Sequence, residues 1–189
     1  MIYFTSDWHL NHNREFIYKA RGFSSVEEMN KAILQRHNEI VDESDSVFVL
    51  GDLCLGGGTE EALQKNKELI EQFNGHLFII RGNHDTDKRC EMYMSCANVE
   101  NVVAATYFNY NGYHFYLSHF PTLTSNLEKE SLKQCTINLY GHTHQKTNFY
   151  YDMPFMCHIG VDSRSCRPVS VESVIKDLNE KVQECLNEL

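Results

Sequence analysis

Five apolar, strand-like segments of this 189-residue chain each end in a residue or cluster that can bind a metal ion. The side chains at these ends are imidazoles, carboxylates and one carboxamide. In chain order they are Asp7 and His9, Asp52, Asn83, His119, and His142 with His144. Such ligands suit zinc, manganese or iron better than calcium, and they need no thiolate. The pattern therefore predicts a metal centre.

The strands that precede these residues must bring them together. In α/β sheets, functional sites collect just beyond the carboxyl ends of strands, so five strand ends can deliver side chains to one place. In Asp7-x-His9 and in His142-x-His144, the spacing places both side chains on one face if the backbone stays extended. A glycine that permits a tight turn and leaves room beside a metal precedes three of the ligand groups: Gly51, Gly82 and Gly141.

The rest of the sequence predicts an α/β fold. Strands at 1–6, 46–50 and 76–80 alternate with helices at 26–41 and after Thr59, an order typical of a largely parallel or mixed sheet. A short helix is expected at 13–20. The second half is richer in strands, which are expected at 99–103, 106–110, 113–118, 136–140 and 155–159, with a hairpin turn at Asn111-Gly112. Ser170 is expected to cap a final helix, and residues 1–189 to form a single domain.

Each motif has an ordinary explanation when it is taken alone. Asp-x-His near the start of a chain is usually part of a solvated loop, and Gly-Asp is a common turn. A single histidine such as His119 is more often a core or surface residue than a ligand. What favours a metal centre is that all five groups occur together, in this order and always at strand ends.

The combined motifs resemble those of the calcineurin-like metallophosphoesterase superfamily. They are Asp7-x-His9, Gly51-Asp52, Gly82-Asn83-His84-Asp85, His119 and Gly141-His142-x-His144. The resemblance implies a four-layer αββα sandwich, with two mixed β-sheets flanked by helices and all ligands on one rim. It also implies a requirement for two divalent metal ions, drawn from Mn, Fe, Zn and Ni. The segment Leu10–Arg14 is similar to that of small bacterial and phage members.

The same resemblance implies a role for each motif residue. One metal ion would be held by Asp7, His9 and His144, and the other by Asn83, His119 and His142. Asp52 would bridge the two ions. His84 would act in catalysis without binding a metal ion, and Asp85 would orient it.

The activity implied is hydrolysis of a phosphomonoester or phosphodiester of a small substrate, through attack by a metal-bridging hydroxide. Two alternatives remain at this stage. One is a nucleotide or nucleic-acid phosphodiesterase, and the other is a non-catalytic, protein-binding scaffold of the same fold. The complete set of ligands and the presence of His84 count against the scaffold.

Substrate contacts are expected in the segment that follows the first strand, where four residues could reach a bound phosphate: His12, Asn13, Arg14 and Arg21. The guanidinium fork of an arginine matches a phosphate well, although most surface arginines are simply solvated. The roles of Arg164 and Arg167 stay open. Asp162 could support a metal-binding histidine or could equally be a turn residue.

Composition narrows the range of partners. The formal net charge is −9, and no basic stripe is visible, which counts against nucleic acid as a partner but does not exclude a phosphorylated substrate. The length is that of a minimal core without a large cap domain, which favours a small phosphorylated substrate. Seven cysteines without CxxC spacing indicate reduced thiols and a cytoplasmic protein. No apolar run reaches the roughly 20 residues of a membrane span. The chain is expected to be a monomer or a homodimer.

Overall fold

The computed structural model describes residues 1–129 and 131–187. The expected domain, residues 1–189, therefore includes Glu130, Glu188 and Leu189, which lie outside the described residues. The helices and strands are, in chain order, β1 (Ile2–Thr5), α1 (Glu15–Tyr18), α2 (Val26–Asn38), β2 (Ser46–Val49), α3 (Glu60–Ile70), β3 (His76–Ile80), α4 (Asp87–Met94), β4 (Val99–Val103), β5 (Ala105–Tyr110), β6 (Tyr113–Ser118), β7 (Thr136–Tyr140), β8 (Met156–His158), β9 (Val169–Ser170) and α5 (Val171–Asn187). A short 3-10 helix spans Tyr150–Asp152.

These strands form two mixed sheets. The first has the order β4-β3-β2-β1-β9, in which β1 to β4 are parallel and β9 runs antiparallel to β1. The second has the order β5-β6-β7-β8, with an antiparallel hairpin of β5 and β6 followed by parallel neighbours. The mixed sheet predicted from the alternation of strands and helices is confirmed.

Alternating side chains of the first sheet enter two separate apolar clusters. Tyr3 of β1 and Val47 of β2 pack with residues of helices α1 to α4, whereas Phe4 and Phe48 pack toward the second sheet. Successive side chains of a strand point to opposite faces, so a sheet that is covered on both sides is apolar at nearly every position. This double burial explains why β1 to β3 read as continuous hydrophobic runs.

Aromatic contacts join the two sheets face to face. The Phe4 ring lies 5.8 Å from the Phe108 ring and 6.4 Å from the Phe115 ring, both of which belong to the second sheet. The Phe48 ring is 5.3 Å from Phe108. Edge-to-face and offset arrangements of this kind each add about 1 kcal/mol beyond the burial of their area. The expected α/β sandwich of two mixed sheets flanked by helices is confirmed.

Several element boundaries differ from the sequence predictions. The helix expected at 13–20 is the single turn α1, because the chain before it is irregular and Gly22 has a positive φ of 84° after it. Helix α4 and strand β9 were not predicted, since an eight-residue and a two-residue element carry too little periodicity to be recognised. Among the described residues, no helix combines the length and apolarity that a membrane crossing requires.

Candidate metal centre

The backbone turns sharply at the ligand residues. Asp7, His9, Asp52, His142 and His144 all have φ between 49° and 68°, in the left-handed region. The extended backbone, on which the shared face of Asp7-x-His9 and His142-x-His144 was conditional, is therefore not present. Their side chains converge because each backbone curls inward after its strand. Left-handed conformations of residues other than glycine cost of order 1–3 kcal/mol each and concentrate at functional sites.

Three of the predicted ligands form what we call the first half-site: Asp7, His9 and His144. Potential ligand atoms of these residues all lie within 4.8 Å of one another. Nε2 of His9 lies 3.1 Å from Nε2 of His144 and 4.0 Å from Oδ1 of Asp7. Ser6 donates a hydrogen bond of 2.5 Å to Oδ2 of Asp7, which fixes that carboxylate.

Three further predicted ligands form the second half-site: Asn83, His119 and His142. Oδ1 of Asn83 lies 2.9 Å from Nε2 of His119 and 2.8 Å from Nδ1 of His142. The amide oxygen and the two ring nitrogens therefore face a common point. His142 presents Nδ1 to this point, whereas His119 presents Nε2.

Asp52 lies between the two half-sites. Its Oδ2 is 3.7 Å from Nε2 of His9 and 3.5 Å from Nε2 of His119. Its Oδ1 accepts a hydrogen bond of 2.8 Å from the backbone N–H of His84. A second group of potential ligand atoms, all within 4.8 Å of one another, comes from Asp7, Asp52 and His119. Asp7 therefore also lies near the second half-site.

The electrostatic state of these groups fits a cation. Burial raises the pKa of the Asp7 and Asp52 carboxyls above their usual range. Burial also lowers the pKa of His9 far below its usual range and that of His142 below it. Burial thus favours the neutral imidazole at His9 and His142, the form that binds a metal ion, and a nearby cation would favour the ionised form of the two carboxyls. Burial also disfavours a charged His144, but its hydrogen bond to Asp162 outweighs this effect and leaves the pKa of His144 raised.

Close packing explains two of the glycines that precede the ligands. Gly51 has φ of +93°, and a Cβ there would overlap Nδ1 of His119. A Cβ on Gly82 would overlap the carboxylate of Asp52. The Nδ1–H of His119 donates a hydrogen bond of 2.8 Å to the backbone carbonyl oxygen of Leu50. That bond leaves Nε2 of His119 free to accept a metal ion.

A buried ion pair supports the first half-site. Nδ1 of His144 lies 2.8 Å from Oδ2 of Asp162, and Arg21 donates to both oxygens of Asp162 at 3.1 and 2.8 Å. Burial alone raises the pKa of Asp162, but the hydrogen bonds from His144 and Arg21 outweigh it and hold that pKa well below its usual range. Of the two explanations considered for Asp162, contact with a metal-site histidine is the one that fits this geometry.

The His84 ring lies over the centre and remains open to solvent. Its side chain is 42% exposed, and its Nε2 is 3.9 Å from Oδ2 of Asp52. Asp85 has different partners from those that the resemblance implies. Its Oδ2 accepts from the backbone N–H groups of Asp52 and Gly82 at 2.8 Å, and its Oδ1 accepts from the Tyr93 hydroxyl at 2.7 Å. Asp85 thus ties the loops after β2 and β3 together instead of contacting the His84 ring.

The predicted substrate contacts are spread over different environments. His12 lines the cavity above the centre, with Nδ1 3.2 Å from Nδ1 of His9. Asn13 and Arg14 are exposed. The Arg21 side chain is only 2% exposed, and its remaining donors bind the backbone carbonyls of Asp7 and Trp8. Its geometry is that of a structural arginine beneath the site.

The two arginines whose roles were open pair with carboxylates elsewhere. Arg164 lies 2.5 Å from Asp177, and Arg167 lies 3.1 Å from Glu39. Arg81 is likewise paired with Asp87, at 2.8 Å. These arginines are therefore engaged by the protein itself.

A cavity of about 480 Å³ opens above the metal centre. Besides the predicted residues, its wall includes four side chains that the sequence did not single out: Phe16, Ile17, Ala20 and Lys146. Phe16 and Ile17 belong to the short helix α1, directly after the Asp7-x-His9 motif. Their position in the segment where substrate contacts were expected could have indicated them, but only polar side chains of that segment were predicted to contact the substrate.

Comparison with known proteins identifies the family of this chain. The sequence model of the calcineurin-like phosphoesterase family matches residues 1–146. An uncharacterized protein of Methanocaldococcus jannaschii is 33% identical over 198 aligned residues, which cover 100% of this chain and 97% of that protein.

A solved structure shares this fold. A protein of unknown function from Aquifex aeolicus superposes with a TM-score of 0.67 at 21% identity, covering 93% of this chain and 98% of its own. An archaeal phosphodiesterase superposes more distantly, with a TM-score of 0.47 at 21% identity over 84% of this chain and 82% of its own. On the extent of the family match and of the full-length relative, the chain belongs to the calcineurin-like phosphoesterase family.

Proposed function

We propose that the protein is a phosphoester hydrolase that uses two divalent metal ions, one in each half-site, and acts on a small phosphorylated substrate. The observation that carries this proposal is the position of Asp52. One oxygen of its carboxylate lies within 3.7 Å of a nitrogen from each half-site. A single carboxylate placed in this way is suited to bridge two ions, which is the arrangement of two-metal phosphoesterases.

The residues present fit such a pair of ions. The donors are imidazoles, carboxylates and an amide oxygen, a set that suits divalent transition metals. Burial raises the pKa of the Asp7 and Asp52 carboxyls, and bound cations would favour their ionised form. When bound, two divalent ions supply Lewis acidity toward phosphate oxygens and acidify a water molecule as the nucleophile.

His84 has the position of a general acid in this proposal. Its ring is exposed to the cavity, and it lies close to Asp52 without being part of either half-site. From there Nε2 can donate a proton to the leaving oxygen of a phosphoester. The backbone N–H of the same residue holds Asp52, so the acid and the bridging carboxylate keep a fixed relation.

The test is metal reconstitution combined with Asp52→Asn. The metal-free protein is loaded with Mn²⁺, the metal ions per chain are counted by mass spectrometry, and turnover of p-nitrophenyl phosphate and bis-p-nitrophenyl phosphate is measured. We expect two ions per chain and turnover of at least one ester. In Asp52→Asn we expect both ions to be lost and turnover to fall ~10³-fold, because metal ions contribute several kcal/mol to the stabilisation of such transition states.

Asp42→Asn is the matched control, since Asp42 is exposed at the other end of β2. It should retain both ions and full turnover. Two bound ions with no turnover of either ester would favour the protein-binding scaffold instead. Retention of both ions and of activity in Asp52→Asn would remove Asp52 from its bridging role.

A further inference from the structure

Phe16 is an exposed aromatic residue in the wall of the cavity above the metal centre. Its side chain is 70% exposed, although the two residues that follow it, Ile17 and Tyr18, are buried. These neighbours anchor α1 against the body of the protein and leave Phe16 on its outer side. Single exposed hydrophobic residues are ordinary on a protein surface. This one lies in the same cavity as the candidate metal ligands.

The apolar surface continues from Phe16 toward the centre. Ile17 and Ala20, which are close to Phe16 along the chain, also line the cavity. The His12 ring lies 5.9 Å from the Phe16 ring and 5.1 Å from the His9 ring, so flat side chains lead from the first half-site outward. A substrate whose phosphate lies at the metal ions would therefore meet an apolar, partly aromatic wall on the side of α1.

The charged groups around the cavity limit what can bind there. The guanidinium of Arg21 is engaged by Asp162 and by backbone carbonyls, and Lys146 lies at the rim within 3.5 Å of Asp162. Away from the metal ions, the described wall thus offers few free cationic groups to a polyanion. The cavity volume of about 480 Å³ lies in the range of small-molecule sites.

We infer that Phe16 is a stacking surface for the base of a nucleoside phosphoester whose phosphate is hydrolysed at the metal centre. This inference rests on the proposed function and names its substrate class. A base has an extended π-face that can lie against the Phe16 ring, whereas a sugar phosphate has no apolar group to cover it. We therefore expect the enzyme to prefer nucleoside esters over esters without a base. Because every base can stack on an exposed ring, we expect little discrimination among bases.

Pairs of substrates with comparable leaving groups, of which only one member carries a base, test the inference. For monoesters, the pair is adenosine 5'-monophosphate and ribose 5-phosphate, which release comparable 5'-alkoxides. For diesters, the pair is thymidine 5'-(p-nitrophenyl phosphate) and methyl p-nitrophenyl phosphate, which share p-nitrophenolate as the leaving group. With Mn²⁺-loaded protein, we expect the nucleoside member of the hydrolysed pair to have the higher kcat/KM.

Phe16→Ala should lower kcat/KM for the nucleoside member ~10-fold, mainly through KM, and should leave its base-free partner unchanged. Phe16→Trp should keep the preference, because indole also stacks. Tyr107→Ala is the matched control, since Tyr107 is an equally exposed aromatic residue on β5. All variants should bind two metal ions.

Three results would contradict the inference while leaving the proposed function intact. The first is equal kcat/KM within a pair in the unmodified protein. The second is a Phe16→Ala variant that loses activity equally on both members. The third is turnover of bis-p-nitrophenyl phosphate with no turnover of either nucleoside ester. Absence of turnover on every ester would instead contradict the proposed function itself.

Discussion

The two half-sites are supported in different ways. In the first, His144 contacts the buried carboxylate of Asp162, which is held in turn by Arg21. In the second, His119 contacts a backbone carbonyl, and both of its histidines pack against the ring of Phe120, at 5.1 and 4.7 Å. The first support is ionic and buried, while the second consists of backbone and a ring that is 49% exposed.

This difference has a consequence for metal affinity. An anionic acceptor makes a ligating imidazole more basic and fixes its orientation, so it strengthens the metal bond. A carbonyl acceptor fixes orientation with less effect on basicity, and an exposed aromatic neighbour can move. We therefore expect the first half-site to bind its ion more tightly than the second. The following substitutions test whether turnover and the metal affinity of each half-site can be changed independently.

His84→Ala has the largest expected effect on turnover and the smallest on metal content. Because His84 belongs to neither half-site, both ions should stay bound while kcat falls ~10²–10⁴-fold, the usual contribution of a positioned general acid. The metal content and kcat are measured on the same sample, by mass spectrometry and by steady-state kinetics. His114→Ala, at an exposed histidine of β6, is the control. Full activity in His84→Ala would exclude the proposed proton donor.

Asp162→Asn should weaken the first half-site alone. The neutral amide removes the charge that faces His144 and Arg21, and loss of such partners typically costs 10–100-fold in metal affinity. Calorimetric titration of the metal-free protein with Mn²⁺ should show one binding step displaced and one unchanged. Asp177→Asn is the matched control, because it also breaks an arginine pair, that of Arg164. An equal loss in both steps would show that the halves are not independent.

Phe120→Ala should weaken the second half-site by a smaller factor. The ring limits the motion of His119 and His142, and aromatic contacts of this kind are worth about 1 kcal/mol, or ~5-fold in affinity. The same titration should now show the other binding step displaced. Tyr116→Ala, which removes an aromatic residue that pairs with Tyr107 on the second sheet, should leave both steps unchanged. A shift of the first step would contradict the assignment of Phe120 to the second half-site.

The strand ends were predictable from the sequence because apolar runs indicate the buried strands and the polar residues that follow them indicate the candidate ligands. A strand buried on both faces is a continuous apolar run, so the first polar residues after it are conspicuous. Asp52 was found in this way after β2, and the structure places its Oδ2 3.5 Å from Nε2 of His119, which follows β6. The mixed sheet followed from the order of the elements, whereas the two-sheet sandwich followed from the family resemblance.

Asp162 was considered as a support for a metal-binding histidine, but its partners were not predictable, since these contacts join residues that are distant along the chain. Arg21 and Asp162 are separated by 141 positions, and nothing local marks them as partners. Arg21 was instead expected among the substrate contacts, because an arginine after a ligand motif gives no sign of whether it points inward. The partners of Asp85 depend likewise on how the loops after β2 and β3 pack.

The left-handed backbone of the ligand residues restricts how this centre could be redesigned. Asp, Asn and His are the side chains, other than glycine, that best tolerate φ near +55°, and the five candidate ligands with this backbone are all Asp or His. A β-branched or bulky replacement at Asp7, His9 or Asp52 would add backbone strain to any change in coordination chemistry. Engineering toward another metal is thus confined to exchanges among these three residue types, unless the loops themselves are rebuilt.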